Sequence, residues 1–207
     1  AWSAGSNLIT LRSSLGGAGT QTAGLAFGGR NNPDSTATVS LNSTEEYNGS
    51  GWANGGNLNT ARFFLGNAGT QTAALGASGY IEGGGVTANV EAYDGSSWTE
   101  GPNVSTARFG SGGCGTSTAA LIAGGREPSF SAKSEEWNGT AWAEGNDLAA
   151  VKTIEGAMVG SQTASVAFGG NTPPRTANVE EYNGTSWSEV NNLPAATNAS
   201  SAFGTQT

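Results

Sequence analysis

Four glutamates recur at equivalent positions of this 207-residue sequence, and each precedes a tryptophan by seven residues. A repeated carboxylate can act as a general acid or base, coordinate a cation, or pair with a basic side chain. Because a partly buried carboxylate needs a partner, we expect a cation close to each one. The repeated acid and indole positions are Glu45 and Trp52, Glu91 and Trp98, Glu135 and Trp142, and Glu180 and Trp187.

Basic residues at a second repeated position can supply these cations. They close a short phrase that begins with an aliphatic residue, as in Leu58-Asn-Thr-Ala-Arg62. We expect each base to pair with a glutamate, with the tryptophan packed against the guanidinium, and the pair to join neighbouring strands or sheets. The alternative is a ring of carboxylates that binds a ligand. The four bases are Arg12, Arg62, Arg108 and Lys152.

The sequence lacks the residue types that most other catalytic sites need. The sequence has no histidine, which removes Ser-His-Asp, Cys-His and His-ligated metal arrangements together. Its single cysteine, Cys114, permits no internal disulfide and is expected to pack as a small apolar side chain in a glycine-rich strand. A glycosidase-like carboxylate pair is conceivable, but every glutamate near another one sits in a repeated position. We therefore predict no enzyme.

No cofactor is expected either, although calcium is an open alternative. Loop carboxylates could bind it together with main-chain carbonyls, but the sequence contains no regularly spaced calcium loop. The candidates are Asp34, Glu82, Asp94, Glu127 and Asp147.

The glutamates and tryptophans lie in a segment that reads as a β-hairpin. In Thr176-Ala-Asn-Val-Glu-Glu-Tyr-Asn-Gly-Thr-Ser-Trp187 two strand-like runs are joined by Asn-Gly, which is typical of a type I′ turn. A two-residue Asn48-Gly49 loop would place Tyr47 opposite Ser50 and Glu45 opposite Trp52. The same register would set a glutamate opposite a tryptophan in every copy.

The hairpin belongs to a longer repeat. Consecutive marker tryptophans are 50, 46, 44 and 45 residues apart, and each period holds four short strand patterns, the size of one propeller blade. We predict a single domain over residues 1–207. Its repeats cover about 2–51, 52–97, 98–141 and 142–186, and residues 187–207 duplicate residues 2–22.

The repeat resembles the kelch repeat. The resemblance is carried by a glycine pair after the second strand, an aromatic residue in the third, a tryptophan in the fourth, and the Leu-x-x-x-Arg phrase. The tyrosine-to-tryptophan spacing is shorter than usual, Trp137 replaces the tyrosine in the third copy, and Ser78-Gly79 replaces the glycine pair in the second. The resemblance implies an all-β propeller of four-stranded antiparallel blades. Runs of Gly, Ala and Ser in the innermost strand favour a low blade number, and we expect four.

The two ends of the sequence are copies of one segment, so both would claim the same place in a closed four-blade ring. The extra segment could complete a blade in a neighbouring molecule and so make a filament. Alternatively, the chain is an excerpt of a longer array, or the ring has more than four blades and one is incomplete. We expect the first outcome, with self-assembly residues Trp2, Leu8, Arg12, Trp187 and Leu193.

Composition limits the partners. A net charge of −8 argues against a groove that follows nucleic-acid phosphates, and no apolar run is long enough for a membrane span. The small polar residues and the scarcity of lysine suggest an extracellular or surface-exposed protein. We predict a structural, self-assembling protein whose partner is itself. The alternative is a carbohydrate- or protein-binding module that uses the variable loops, with Asn31, Tyr80, Arg126 and Phe130 on the recognition face.

Overall fold

The computed structural model describes residues 5–31, 39–197, 202 and 204, and its ordered elements are all β-strands. Four antiparallel sheets of four strands follow one another along the chain. Sheet 1 contains β1 (Gly16–Thr20), β2 (Ala23–Phe27), β5 (Thr44–Tyr47) and β6 (Trp52–Asn54). Sheet 2 contains β7 (Gly66–Thr70), β8 (Ala73–Ala77), β11 (Val90–Tyr93) and β12 (Trp98–Gly101).

Sheets 3 and 4 repeat this order, so the predicted all-β architecture of four-stranded antiparallel sheets is confirmed. Sheet 3 contains β13 (Gly112–Gly115), β14 (Ala120–Ala123), β15 (Ser134–Trp137) and β16 (Trp142–Glu144). Sheet 4 contains β17 (Met158–Ser161), β18 (Ala164–Phe168), β19 (Val179–Tyr182) and β20 (Trp187–Val190). Two short ribbons pair β3 (Arg30–Asn31) with β4 (Val39–Ser40), and β9 (Tyr80–Ile81) with β10 (Gly85–Val86).

The first strands of the four sheets crowd one another, which explains their tiny residues. Residues of β1, β7, β13 and β17 line one common cavity of about 570 Å³. A Cβ atom added to Gly113 on β13 would lie 2.5 Å from the main chain of Asn67 on β7. Since real Cβ atoms do not approach a backbone this closely, only glycine allows these two strands to pack here.

The hydrophobic core lies between consecutive sheets. Leu25 and Phe27 of sheet 1 cluster with Ala74 and Tyr93 of sheet 2, and similar clusters fill the two later interfaces. Cys114 packs in the cluster between sheets 3 and 4, as predicted, and burial raises the pKa of its thiol to about 12.

The predicted hairpin register is wrong by two residues. Tyr47 lies opposite Trp52, and Glu45 lies opposite Asn54 rather than Trp52. The reason is the turn: Gly49, with a φ of 91°, is its first central residue, so it resembles type II′ and not type I′. Asn48 stands one position earlier and accepts the main-chain N–H groups of Ser50 and Gly51. The other three buried glutamates are likewise displaced from their tryptophans and lie opposite Glu100, Glu144 and Glu189.

Candidate functional site

Four buried ion pairs connect the sheets with the segments that precede them. These segments are called linkers 1 to 5 and comprise residues 8–12, 58–62, 104–108, 148–152 and 193–197. The base that closes each of linkers 1 to 4 meets a glutamate on the third strand of the sheet that follows, and both side chains are shielded from solvent. The pairs are Arg12–Glu45 at 2.6 Å, Arg62–Glu91 at 3.2 Å, Arg108–Glu135 at 2.7 Å and Lys152–Glu180 at 2.8 Å.

The same carboxylates also fix the main chain of the linkers. Glu45 accepts the N–H groups of Ile9 at 2.6 Å and Thr10 at 2.9 Å, and each of the other three accepts at least one linker N–H in the same way. Burial raises the pKa of the Glu45 carboxyl, but the bonds from Ile9, Thr10 and Arg12 outweigh it, so the pKa lies below its ordinary value. The carboxylates thus serve the chain's own fold, and the geometry gives no support to a ligand-binding ring.

The tryptophans do not pack on the guanidinium groups, so that part of the expectation is wrong. Each tryptophan packs at a tilt against the aromatic residue that the shifted register places opposite it. The ring centroids are 5.1 Å apart for Tyr47–Trp52, 5.0 Å for Tyr93–Trp98, 5.3 Å for Trp137–Trp142 and 5.0 Å for Tyr182–Trp187.

Each internal linker also binds the sheet that precedes it. In linker 2, Leu58 N donates to Asn42 O at 2.8 Å, Arg62 N donates to Leu41 O at 3.1 Å, and Arg62 O accepts from Gly29 N at 2.9 Å. Linker 4 repeats all three bonds on sheet 3. An internal linker therefore joins two sheets, one through its main chain and one through its ion pair.

The two terminal linkers each make half of this junction. Linker 5 binds sheet 4 through Leu193 and Thr197, whose N–H groups donate to Ala177 O at 2.9 Å and Thr176 O at 3.2 Å. Linker 1 bonds to sheet 1 and its flanking loops: besides the ion pair and the bonds to Glu45, the Arg12 side chain donates to Gly28 O at 2.9 Å, Ser43 O at 2.7 Å and Ser43 Oγ at 2.8 Å. Their leading leucines, Leu8 and Leu193, are half-buried. The equivalent side chains in the internal linkers are buried, with exposures of 2% for Leu58, 3% for Val104 and 4% for Leu148.

Two further contacts at the junctions were not anticipated from the sequence. Gln71 of sheet 2 donates to Gly24 O at 3.1 Å and Tyr47 O at 2.7 Å of sheet 1, and Gln162 makes the same two bonds from sheet 4 to sheet 3. Tyr93 donates its hydroxyl to Glu46 of the preceding sheet. Burial, together with this carboxylate, raises the pKa of Tyr93 to about 12. The Thr-Gln-Thr phrase and the glutamate that precedes Tyr47 were the available signals.

The remaining predicted assembly residues are placed as follows. Trp187 contacts the Tyr182 ring at a tilt and packs against the core between sheets 3 and 4. Trp2 lies outside the described residues.

Aromatic side chains that follow linkers 2 and 3 meet Tyr80 of a variable loop in a cluster that is called the rim. Phe63, Phe64, Tyr80 and Phe109 form a chain of ring contacts, and the Arg30 guanidinium lies 5.3 Å from the ring centres of Phe63 and Phe64. A cavity of about 330 Å³ lies beside Phe64 and Glu155.

The four predicted recognition residues take part in this rim to different degrees. Tyr80 belongs to the cluster, and Arg126 is bridged to Phe109 through the main chain while its guanidinium lies 5.1 Å from the Phe130 ring centre. Asn31 instead accepts the N–H of Val39 within the first ribbon.

The calcium candidates do not assemble into a site. Over the described part of the chain, no three Asp, Glu or Cys side chains lie close enough together to hold a metal ion. Asp94 accepts the N–H groups of Ser97 and Ser96 in its own turn, which lowers the pKa of its carboxyl to about 2. Asp34 lies outside the described residues. No helix among the described residues has the length and apolarity needed to cross a membrane.

No model of a known protein family matches the chain, and no similar protein was found among the curated ones. The kelch resemblance therefore rests on the repeat residues alone. The four-stranded antiparallel sheets are compatible with a propeller-like fold.

Proposed function

We propose that this chain is a non-enzymatic structural protein that joins end to end with further copies of itself. The observation that carries the proposal is the pair of half-made junctions at linkers 1 and 5. Every internal linker contacts two sheets and buries its leading aliphatic side chain, whereas Leu8 and Leu193 are half-buried and each terminal linker contacts one sheet. Each terminal linker leaves its leucine partly exposed and contacts one sheet where an internal linker contacts two, which favours the binding of a further sheet at each end.

Number also favours exchange between copies. The chain has five linkers and, among its described residues, four four-stranded sheets. Copies of this chain joined end to end therefore have one linker too many at each contact. A filament forms when a linker of one copy replaces the equivalent linker of the next, because such a head-to-tail contact need not close. The bonds of linker 5 to sheet 4 match those of linker 2 to sheet 1 one for one, which makes such a replacement possible without new chemistry.

The finer architecture belongs to the same proposal. We interpret the four sheets as kelch-like propeller blades, because their first strands line a common cavity of about 570 Å³. Ala202 and Gly204 line that cavity as well, as do their sequence equivalents Gly17 and Gly19 on β1. Ala202 and Gly204 thus lie beside the first strands of the sheets, as residues of the first strand of a following blade would. An extracellular location is proposed from composition alone, since the chain is poor in lysine and rich in small polar residues.

Light scattering and electron microscopy on the purified chain test the proposal. We expect the mass to rise with concentration above 20.6 kDa, and rods in the images. Leu8→Asp should suppress association, because it places a charge on the apolar side chain that the next sheet would cover. Ile9→Asp is the matched control, since Ile9 is the neighbouring residue and is 56% exposed. Round particles of monomeric mass at every concentration would contradict self-assembly.

A second candidate function is a carbohydrate- or protein-binding module that uses the rim. It is favoured by the half-buried aromatic rings of Phe64, Tyr80 and Phe109, of which Phe64 lines the 330 Å³ cavity. Aromatic faces with a few polar groups suit sugar rings and apolar side chains. A glycan array probed with the monomeric Leu8→Asp chain tests the sugar branch. Binding that Phe64→Ala abolishes and Phe130→Ala retains would support it, and an array without signal would contradict it.

A further inference from the structure

The junctions between sheets follow a pairing rule in which a glutamate of one sheet receives the hydroxyl of a tyrosine of the next. Tyr93 of sheet 2 donates to Glu46 of sheet 1, and Tyr182 of sheet 4 donates to Glu136 of sheet 3. At both junctions a glutamine adds two bonds to main-chain carbonyls, Gln71 at the first and Gln162 at the third.

At the junction between sheets 2 and 3, the glutamate, the tyrosine and the glutamine are all replaced by other residues. Ala92 stands in the glutamate position, Trp137 in the tyrosine position and Ser117 in the glutamine position. Trp137 cannot serve the pair and instead donates its indole N–H to Ser117 O at 3.0 Å. Since the acceptor is lost in the same junction as the donor, the glutamate and the tyrosine act as partners and not as independent surface residues.

Sheets 1 and 4 together contain the glutamate, tyrosine and glutamine needed for one more junction like that between sheets 1 and 2. Sheet 1 presents Tyr47 and Gln21 at the tyrosine and glutamine positions, and sheet 4 presents Glu181 at the glutamate position. The carbonyls equivalent to those that receive Gln71 belong to Ser165 and Tyr182, which lie opposite each other on β18 and β19. None of the side chains of Tyr47, Gln21 and Glu181 has a hydrogen-bond partner among the described residues.

The main chain of Arg12 also indicates that a further sheet can bind next to sheet 1. The N–H and C=O groups of Arg62 bond to Leu41 and Gly29 of the preceding sheet. The corresponding groups of Arg12 have no partner among the described residues. The Arg12 side chain is fully shielded, so the exposed 8% of the residue lies on its main chain. Internal linkers use the same two groups to bind the preceding sheet, so these exposed groups of Arg12 are available to a further sheet on this side.

We propose that sheet 1 of one copy docks on sheet 4 of a second copy through this set: Tyr47 donates to Glu181, and Gln21 donates to the carbonyls of Ser165 and Tyr182. This contact rests on the self-assembly proposed above and identifies its residues. Linker 1 stays at the contact, because Arg12 holds the buried pair with Glu45, and it displaces linker 5 of the other copy, whose equivalent residue is the uncharged Thr197. Arg12 N then takes the place of Thr197 N on Thr176 O, and Arg12 O takes the place of Thr197 O at Gly170 N.

The test is a double-mutant cycle on the association of the full chain, measured by sedimentation equilibrium. Tyr47→Phe and Glu181→Gln should each weaken association roughly tenfold, and the double variant should be no weaker than either single one. Tyr80→Phe and Glu189→Gln are the matched controls, because both residues lie outside the contact and should leave the dissociation constant unchanged.

The outcomes separate the two proposals. If the natural chain associates while Tyr47→Phe and Glu181→Gln change nothing, or if their effects simply add, this contact is wrong and self-assembly uses another surface. If the natural chain is monomeric at every concentration, self-assembly and the contact both fail.

Cross-linking gives an independent readout. In a Cys114→Ala background, chains carrying Glu181→Cys are mixed with chains carrying Tyr47→Cys and treated with a flexible bis-maleimide. A covalent dimer should form only in the mixture, and not when Thr99→Cys, on the exposed edge of sheet 2, replaces Tyr47→Cys. A link formed within a single chain that carries both cysteines, at monomeric mass, would overturn the contact between copies.

Discussion

Arg62 and Glu91 form a 3.2 Å ion pair between linker 2 and β11, and neither side chain is exposed to solvent. Burial lowers the pKa of the Arg62 guanidinium, and the nearby charge of Glu91 opposes that shift. A buried pair of this kind is costly to break, because removal of one member leaves the other charged and without a partner.

Arg62→Met should therefore destabilise the fold by about 3–5 kcal/mol, because it leaves Glu91 buried and uncompensated. Urea unfolding measures the free energy. Lys133→Met is the control, since the Lys133–Glu144 pair is solvent-exposed and its loss should leave the free energy of unfolding nearly unchanged. Normal stability of Arg62→Met together with loss of ligand binding would contradict the structural role of the pair.

Alkaline unfolding should depend on Tyr93. Its folded pKa of about 12 lies above the ordinary value of 10.0, so its contribution to stability is fully present below pH 10 and is lost as the pH rises through 12. In that window the free energy of unfolding should fall less steeply for Tyr93→Phe than for the natural chain. Tyr80→Phe controls for the loss of a phenol elsewhere. Equal slopes for the natural chain and Tyr93→Phe would show that the Tyr93–Glu46 bond does not hold the proton.

Crowding of the first strands gives a third prediction. Gly113→Ala should destabilise the chain by about 1–3 kcal/mol, because its Cβ would lie 2.5 Å from the Asn67 main chain. Gly101→Ala is the control, because no atom lies within 4 Å of the added carbon and Gly101 ends an outer strand. Thermal unfolding of both variants compares them directly, and equal midpoints would mean that β7 and β13 can move apart at little cost.

The sequence was sufficient for the features that repeat. Each of Glu45, Glu91, Glu135 and Glu180 has one base to match it, and a buried carboxylate requires a cation, so the ion pairs could be expected before any coordinates. The four-stranded antiparallel sheets could be expected from the same repetition, because each period holds four short strand patterns.

The hairpin register could not be obtained in this way. Asn48-Gly49 fits a type I′ turn at its centre, but it also fits a type II′ turn in which Gly49 is the first central residue. The two registers differ by two residues, which leaves every side chain on the same face of the sheet. The hydrophobic pattern therefore cannot distinguish them, and the tryptophan partners came out wrong.

The contacts between sheets also could not be predicted from the sequence. Gln71 donates to carbonyls of Gly24 and Tyr47, which lie 47 and 24 residues away in the sequence. Main-chain carbonyls carry no residue-type signal, so nothing in the sequence marks them as acceptors. The Tyr93–Glu46 pair was detectable in principle, because Ala92 and Trp137 depart from the repeat in adjacent copies.

That departure allows the pairing rule to be tested inside the folded chain, independently of self-assembly. Ala92→Glu and Trp137→Tyr together would install at the second junction the acceptor and the donor found at the other two. Each single change should destabilise, since Ala92→Glu adds a carboxylate without a donor and Trp137→Tyr removes the bond to Ser117 and part of a buried ring. The double variant should recover about 1 kcal/mol or more relative to the sum of the single changes, because the new hydroxyl reaches the new carboxylate.

Urea unfolding of the natural chain, the two single variants and the double variant gives the coupling energy. A parallel cycle of Ala92→Glu with Trp142→Tyr is the control. Trp142 lies on the outer strand of sheet 3, and its equivalents Trp98 and Trp187 do not bond to a glutamate among the described residues. A coupling energy near zero in the Trp137 cycle would mean that the Glu46–Tyr93 and Glu136–Tyr182 contacts depend on local geometry rather than on residue type. A coupling energy seen only with Trp137→Tyr would show that a glutamate and a tyrosine at these positions bind each other at any junction between two sheets of this repeat. The proposed bond between Tyr47 of one copy and Glu181 of another depends on this property.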